Sequence, residues 1–272
     1  MFSYAFMQRS FIVGVMLAII IPMIGIIMIN RRTSMIGDAL SHASLAGIGF
    51  GLIMGINPIW TSLLVCVIAS FAIEIIRRQF RDFGDMAVAL VMSAGIAIAA
   101  ILSDFTPGGT NFESFMFGSI TTVSKEDVWI VGVIFALVVA VSIYSYNALL
   151  YNAINPTMAR LAGINTRRVN IVFTFLTAIT VAISAKTVGA LMITSLMTIP
   201  VATSLLISDS YKKTYVRSII LSVIFMVLGI TASFYLGVKP GGAIVLIAIG
   251  FMLVIGLINY IYNKSNKRNL SK

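Results

Sequence analysis

The chain has few charged residues, one histidine and one cysteine among its 272 residues. Charged residues make up only 10% of it, whereas a soluble domain typically carries about 25%. Hydrophobic residues make up 59%, and the mean hydropathy is +1.03. The single cysteine, Cys66, excludes an intrachain disulfide. This composition predicts an all-α membrane protein with several spans and little soluble mass.

Motifs of several enzyme classes are also absent. The sequence contains no G-x-x-x-x-G-K-[ST] phosphate loop, no H-E-x-x-H and no G-x-S-x-G. A membrane-embedded protease that used Ser41 or His42 would lack a credible nucleophile, base and orienting group. We therefore expect that the chain is not an enzyme and carries no permanently bound cofactor. If nucleotide drives it, a separate subunit must hydrolyse that nucleotide.

Nine apolar segments approach the roughly 17–25 residues that a membrane-spanning helix requires. The predicted spans are residues 11–29, 39–55, 59–73, 86–103, 128–151, 169–185, 187–208, 218–238 and 240–263. The weakest is 59–73, so eight spans remain an alternative. No connection is long enough to hold a folded domain. We expect a single transmembrane domain over residues 1–272.

The net charge of +10 is distributed in short basic clusters between the apolar runs. This pattern indicates membrane topology rather than nucleic-acid binding, because cytoplasmic loops carry an excess of Lys and Arg. Five clusters hold 15 of the 19 basic residues: Arg31/Arg32, Arg77/Arg78/Arg81, Arg160/Arg167/Arg168, Lys212/Lys213/Arg217 and Lys264/Lys267/Arg268/Lys272. With nine spans, all five lie on one side. The N-terminus is therefore predicted to lie outside and the C-terminus in the cytoplasm.

Two connecting regions are predicted to form short helices. Residues 104–127, on the outer side, include the aromatic stretch 112–120 (FESFMFGSI), which suits a re-entrant or surface helix. On the inner side, Pro156 favours a helix start and Gly163 a helix end. A short amphipathic helix over about 152–164 should present Met158, Leu161 and Ala162 to a partner. An inert connector is the alternative.

The only histidine lies in the block 36–43 (IGDALSHA). Asp38 and His42 are four residues apart, so they share one face of a helix. An ionisable pair at membrane depth indicates function, and a carboxylate with an imidazole is half of a divalent-metal site. If the helix begins near Arg32, His42 lies about 15 Å along it, near the middle of the bilayer. The alternatives are a structural Asp–His hydrogen bond and a proton relay.

Small residues recur every fourth position beside this pair, at Ala39, Ala43, Gly47, Gly51 and Gly55. Such a stripe favours close packing against another helix, which places the polar pair at the margin of that contact. One chain cannot complete the site. A second copy related by a two-fold axis would supply four ligands, a set that suits Zn²⁺ or Mn²⁺.

A further block, residues 188–203 (VGALMITSLMTIPVAT), contains a proline inside an apolar run. Pro200 leaves a backbone carbonyl free, and neighbouring hydroxyl groups can bond the backbone carbonyls of this helix. We interpret Ser195, Thr198 and Pro200 as residues that line a pathway. A kink that serves packing alone is the alternative.

Four of these blocks together resemble one family. Residues 37–43 (GDALSHA), directly after 31–35 (RRTSM), resemble the hallmark of the permease subunits of metal-type ABC transporters, the ABC-3 family. Residues 112–120 resemble the outer-loop motif of that family, residues 159–164 (ARLAGI) its cytoplasmic coupling helix, and residues 188–203 its G-x-L and S-x-L-x-x-I-P-x-A-T segment. The resemblance covers essentially the whole chain in order. Pro156 is less typical and puts the start of the coupling helix in doubt.

This resemblance implies a type II ABC importer-like permease of the bacterial cell membrane. It implies import of manganese, zinc or iron by alternating access, with Asp38 and His42 as the metal-coordinating pair. The implied partners are a second copy of the chain, a cytoplasmic ATPase dimer, an extracytoplasmic solute-binding protein and membrane lipid. The residues that would dock on the ATPase are Met158, Ala159, Arg160, Leu161, Ala162 and Gly163. A permease for a metal chelate, such as a siderophore or cobalamin, and a proton-coupled carrier are the alternatives.

Overall fold

A computed structural model describes residues 4–80, 83–106, 110–119 and 123–270. In these residues the chain is helical, without strands. The helices are α1 (Ala5–Asn30), α2 (Met35–Met54), α3 (Pro58–Gln79), α4 (Gly84–Phe105), α5 (Thr110–Phe117), α6 (Lys125–Tyr144), α7 (Tyr146–Ile154), α8 (Pro156–Leu161), α9 (Thr166–Thr187), α10 (Ile193–Ile207), α11 (Tyr211–Leu236) and α12 (Pro240–Leu270). A 3-10 helix, Ala190–Met192, precedes α10.

Nine stretches of the described residues are long and apolar enough to cross a membrane, as predicted. They comprise α1, α2, α4, α6, α9, α11, Pro58–Arg77 of α3, Ala190–Ile207 and Pro240–Ile261 of α12. The weak segment 59–73 reaches full span length because Asn57 caps its start and Pro58 occupies the first turn. The alternative of eight spans is therefore not needed.

Two predicted spans differ from the observed helices. Residues 128–151 were expected to form one span, but α6 ends at Tyr144 and α7 begins at Tyr146, after the non-helical Ser145. The apolar run stops there because the chain continues with Tyr, Ser, Tyr and Asn. Residues 187–208 also divide, because Gly189, with φ of 98°, separates α9 from the 3-10 helix.

The small-residue stripe of α2 packs against α3, as predicted. A Cβ atom at Gly47 would lie 2.6 Å from Ser62 Cα, and one at Gly51 would lie 2.9 Å from Pro58 Cα. On a neighbouring face, Gly95 of α4 brings its backbone against α2, because a Cβ there would lie 2.8 Å from the Ala43 nitrogen. Helix α2 is therefore held at short range by α3 and α4.

The basic clusters gather at one end of the helix bundle. Arg31, Arg77, Arg160 and Arg167 line a single cleft. Asn30 and Tyr211 line a second cavity, which brings the start of α11 and its lysines to the same end. The side chains of the fifth cluster, and Arg78 and Arg81, lie outside the described residues.

Two basic residues at the opposite end contact connecting segments of the chain there. Arg9 donates a hydrogen bond to the Val123 carbonyl, and the Lys239 ammonium lies 4.6 Å from the centre of the Phe117 ring. The two ends of the bundle thus differ as the charge pattern predicts. Which end faces the cytoplasm stays a prediction from the positive-inside rule.

Candidate functional site

Asp38 and His42 lie on successive turns near the start of α2. The helix begins at Met35 because residues 31–34 form a turn, in which Arg32 has φ of 54° and the Thr33 N–H bonds the Met28 carbonyl at 2.9 Å. Asp38 is therefore about 4.5 Å, and His42 about 10.5 Å, from the start of the helix. The helix starts three residues later than the sequence analysis assumed, so His42 lies about 10.5 Å rather than about 15 Å along it. Its depth near the middle of the bilayer stays a prediction.

The Asp38 carboxylate joins α2 to α10. Thr194 donates its hydroxyl hydrogen bond to Asp38 Oδ1, over 3.3 Å. The carboxylate also lies in the first turn of α2, where the helix dipole favours negative charge. Among the described residues, Asp38 and His42 do not hydrogen-bond each other. The alternative of a purely structural Asp–His pair within one helix therefore gains no support.

Close contact between α1 and α10 sets the position of Thr194. A Cβ at Gly25 of α1 would overlap the Met197 carbonyl oxygen, so only glycine permits this approach. The Met197 side chain then lies against α2, with its sulfur 3.2 Å from where a Cβ at Gly37 would stand. One turn earlier on α10, Thr194 reaches Asp38. The sequence reading singled out Ser195 and missed Thr194, although the Thr–Ser pair at 194–195 was visible.

The predicted pathway residues of α10 occupy different faces. Ser195 and Thr198 are partly exposed on the same side as Thr194, whereas Pro200 is buried within the chain. The Thr198 hydroxyl donates to the Thr194 carbonyl at 2.9 Å, and the Thr203 hydroxyl donates to the Ile199 carbonyl at 2.7 Å. Threonine hydroxyl groups on both sides of Pro200 therefore bond backbone carbonyls that precede it, and α10 remains continuous from Ile193 to Ile207.

The described part of one chain does not hold a complete metal site. It contains no group of three or more His, Cys, Asp or Glu side chains placed to hold an ion. Asp38 and His42 are both partly exposed at the surface of the single chain, so they remain accessible to further ligands. A four-ligand site would therefore draw the remaining donors from outside this part of the chain.

The predicted inner helix begins at Pro156 and ends just before Gly163, the two residues that favoured its start and its end, but it is shorter than the expected range. Asn155 Oδ1 accepts hydrogen bonds from the backbone N–H groups of Thr157 and Met158, each at 3.1 Å. Pro156 follows in the first turn, and Gly163 has φ of 80° beyond the end. The expected range of about 152–164 was too long. Its first three residues belong to α7, because the Asn155 cap separates the two helices.

Helix α8 presents an apolar surface at the basic end of the bundle. Met158 is 60% exposed and Leu161 is 78% exposed. Ala159 is fully buried and anchors the helix, while Arg160, Ala162 and Gly163 are exposed. Exposed large apolar side chains next to charged ones suit a protein contact surface.

The outer segment contains a short helix, α5, as predicted. Its own side chains Phe112 and Phe115 are buried. Gly118, with φ of 79°, packs against Gly189, the residue that separates α9 from the 3-10 helix. A Cβ at Gly118 would lie 2.6 Å from the Val188 carbonyl carbon, and one at Gly189 would overlap the Gly118 nitrogen. Two glycines from separate motifs thus form one junction. Residues 107–109 and 120–122 of the predicted segment lie outside the described residues.

A buried ion pair lies at this same end. Lys186 Nζ and Asp127 Oδ2 are 2.7 Å apart, and their side chains are only 13% and 3% exposed. Asp127 also completes a capping box at the start of α6, in which its Oδ2 accepts from the Ser124 N–H at 2.7 Å. The sequence analysis did not predict this pair, because no local pattern joins two residues that are 59 positions apart in the chain.

The chain is similar over most of its length to known membrane proteins of transport systems. The family model described as ABC 3 transport family matches residues 3–259. A probable metal transport system membrane protein of Treponema pallidum is 34% identical, over 94% of this chain and 97% of that protein.

Two further relatives are named for individual metals. The manganese transport system membrane protein MntC of Listeria innocua is 27% identical, over 90% of this chain and 88% of that protein. The high-affinity zinc uptake system membrane protein ZnuB of Haemophilus influenzae is 25% identical, over 91% of this chain and 95% of that protein.

A solved structure shares the fold. The structure of PsaBC from Streptococcus pneumoniae in complex with Fab superposes with a TM-score of 0.84, covering 93% of this chain and 91% of that chain, at 24% identity.

Proposed function

The chain belongs to the ABC 3 transport family, and from that membership we propose that it is the permease subunit of an ATP-driven importer of divalent metal ions. Its relatives are named for metal, manganese and zinc transport. Those names support a metal ion as the cargo. We name manganese first, with zinc and iron as the other ions that the donor set accepts.

The observation that carries this proposal is the Asp38–His42 face of α2. A carboxylate oxygen and an imidazole nitrogen are ligands that both Mn²⁺ and Zn²⁺ accept. Asp38 is held by Thr194 of α10, so a displacement of α10 relative to α2 would change the position of this carboxylate ligand. Two copies related by a two-fold axis would contribute four such ligands. A set of ligands that is complete only when two chains meet can separate again and release its ion.

Alternating access then requires a link to a cytoplasmic ATPase, and α8 is the surface we assign to it. Its exposed Met158 and Leu161 lie at the basic end of the bundle. Movement of α8 would reach the site through α9, because α9 contacts both α8 and α2. An extracytoplasmic solute-binding protein would deliver the ion at the opposite end. Since similar donor sets bind Zn²⁺ more tightly than Mn²⁺, we assign ion selection to that delivery protein.

Transport by the reconstituted complex tests the proposed function. The permease and its ATPase are placed in liposomes together with the solute-binding protein, and ATP-dependent accumulation of radioactive manganese is measured. We expect accumulation that requires ATP hydrolysis and is competed by free Mn²⁺ or Zn²⁺. Competition by siderophores or cobalamin instead would indicate a metal-chelate permease. Accumulation without any ATPase, driven by a proton gradient, would indicate a stand-alone carrier.

Replacing Leu161 with aspartate should weaken binding of the ATPase. The variant would place a charge inside an apolar contact. Loss of a residue that contributes strongly to an interface weakens binding by roughly 2 kcal/mol or more, which corresponds to about a thirtyfold increase in Kd. Binding of the purified ATPase to the detergent-solubilised permease measures the effect. Lys212→Glu, which adds a carboxylate at another exposed position of the same end, is the matched control. Equal affinity of L161D and the wild type would remove α8 from the interface.

A further inference from the structure

A cleft lined by arginines opens at the end of the bundle that carries α8. Its volume is about 460 Å³, within the range of ligand sites in proteins. The lining residues come from the ends of α1, α3 and α8 and from the start of α9: Arg31, Glu74, Arg77, Arg160, Arg167 and Asn170. Among these described residues every cation is an arginine, and Glu74 is the only acid. The cleft therefore carries a clear excess of positive charge.

Arg31 forms the floor of this cleft in a fixed geometry. Its guanidinium donates to Asn170 Oδ1 at 2.8 Å and lies 4.8 Å from the centre of the Phe173 ring. Asn152 donates to the same Asn170 oxygen at 2.8 Å, which fixes the amide that holds the arginine. The guanidinium is thus positioned by neutral groups, and Glu74 is the one carboxylate among the described residues that line the cleft with it.

The surroundings of Arg31 disfavour its charge. Burial lowers the pKa of Arg31 from its ordinary value, the nearby charge of Arg77 lowers it further, and the charge of Glu74 acts in the opposite direction. An anion bound in the cleft would offset both the cost of burying the positive charge of Arg31 and its repulsion by Arg77. Two N–H groups of one guanidinium can donate parallel hydrogen bonds to two oxygens of the same phosphate group, which an ammonium group cannot do.

We propose that this cleft binds a phosphate group, and that its source is the headgroup of an anionic phospholipid. The position of the cleft favours lipid. Arg31 directly follows the end of α1, and Arg77 ends the spanning part of α3, so the guanidinium groups lie at the boundary between hydrocarbon and water. Basic pockets between spanning helices on the cytoplasmic side bind lipid headgroups in this way.

Native mass spectrometry of the full-length permease, purified with its ATPase, tests the site. The protein is titrated with cardiolipin, with phosphatidylglycerol or with phosphatidylcholine, and the fraction of lipid-bound protein gives Kd. We expect preferential binding of the two anionic lipids. The variant Arg77→Gln/Arg167→Gln should lose roughly fivefold in affinity for each arginine removed. The matched control Lys212→Gln/Lys213→Gln removes the same charge from exposed positions outside the cleft and should bind as the wild type does.

A second arm separates lipid from soluble phosphate. Inorganic phosphate is added to delipidated protein, and the thermal unfolding midpoint is followed. Stabilisation of the wild type but not of R77Q/R167Q, without any lipid preference, would keep the phosphate site and identify a soluble source. The variant Arg77→Lys/Arg167→Lys keeps the charge if the glutamine variant fails to fold. Its affinity should be intermediate, and wild-type affinity would overturn the role given to the guanidinium fork.

Two outcomes would overturn the proposal as a whole. One is equal loss of lipid binding in the lysine control, since the effect would then be general surface charge. The other is loss of the ATPase from R77Q/R167Q while binding of lipid and phosphate stays unchanged. That result would show that acidic side chains of the ATPase occupy the cleft.

Discussion

Replacing His42 with alanine is expected to abolish ATP-dependent metal uptake while the protein still inserts and binds its ATPase. The imidazole would be a direct ligand of the transported ion. Its loss should exceed the roughly 10- to 100-fold cost of removing an outer partner at a metal site. Uptake of radioactive manganese by the reconstituted complex measures this, with zinc as the second ion. Uptake at the wild-type rate and KM would show that His42 does not hold the ion.

Two variants on the same helices sharpen this test. Thr194→Val removes the hydrogen bond to Asp38 Oδ1 but no ligand, so we expect a loss within that 10- to 100-fold range. Ser44→Ala removes only a hydroxyl that donates to the Ser41 carbonyl of its own helix, so uptake should stay normal. A loss in Ser44→Ala as large as in His42→Ala would indicate a general disturbance of α2 rather than a missing ligand.

The second large effect is expected on stability, from Lys186→Met. The Asp127 side chain is only 3% exposed, and its Oδ1 has no hydrogen-bond partner among the described residues. Removing the lysine would leave a buried carboxylate with the Ser124 N–H as its remaining described partner at Oδ2. Breaking one side of a buried ion pair costs roughly 3–5 kcal/mol. Denaturant-induced unfolding in detergent micelles, followed by tryptophan fluorescence, measures the change.

A double variant separates loss of the ion pair from burial of an unpaired charge. Asp127→Asn/Lys186→Met buries no charge and keeps an oxygen for the Ser124 N–H, so it should recover much of the stability lost in K186M. Lys125→Met, in the same first turn of α6 but exposed, should change stability by no more than about 0.5 kcal/mol. If K186M proves as stable as K125M, the ion pair does not hold α6 to α9.

The positions of Asp127 and Lys186 in the chain explain why the sequence alone did not predict this ion pair. Asp127 and Lys186 are 59 residues apart in the chain, and each stands at the end of a predicted span. A basic residue at the end of a span is ordinary, since such residues usually face water. Burial of both side chains depends on how closely the start of α6 approaches the end of α9, which no local pattern records.

Local patterns did predict much of the fold. The spans follow from apolar length, because a helix in lipid must satisfy its own backbone hydrogen bonds. Pro156 and Gly163 bound α8, because each restricts or permits one backbone conformation. Asp38 and His42 share a face because the helix repeats every 3.6 residues. Each of these features depends on residues that are neighbours in the chain.

The sequence alone thus determined an all-helical membrane bundle, its basic end and the Asp38–His42 face. Tertiary structure decided which groups meet that face. Thr194 reaches Asp38 across 156 residues because Gly25 lets α10 approach α1, and Gly118 meets Gly189 because neither has a Cβ to keep the two loops apart. Helix periodicity fixes the direction of a side chain, but its partner depends on which helices cross, at what height and how closely their backbones can pack.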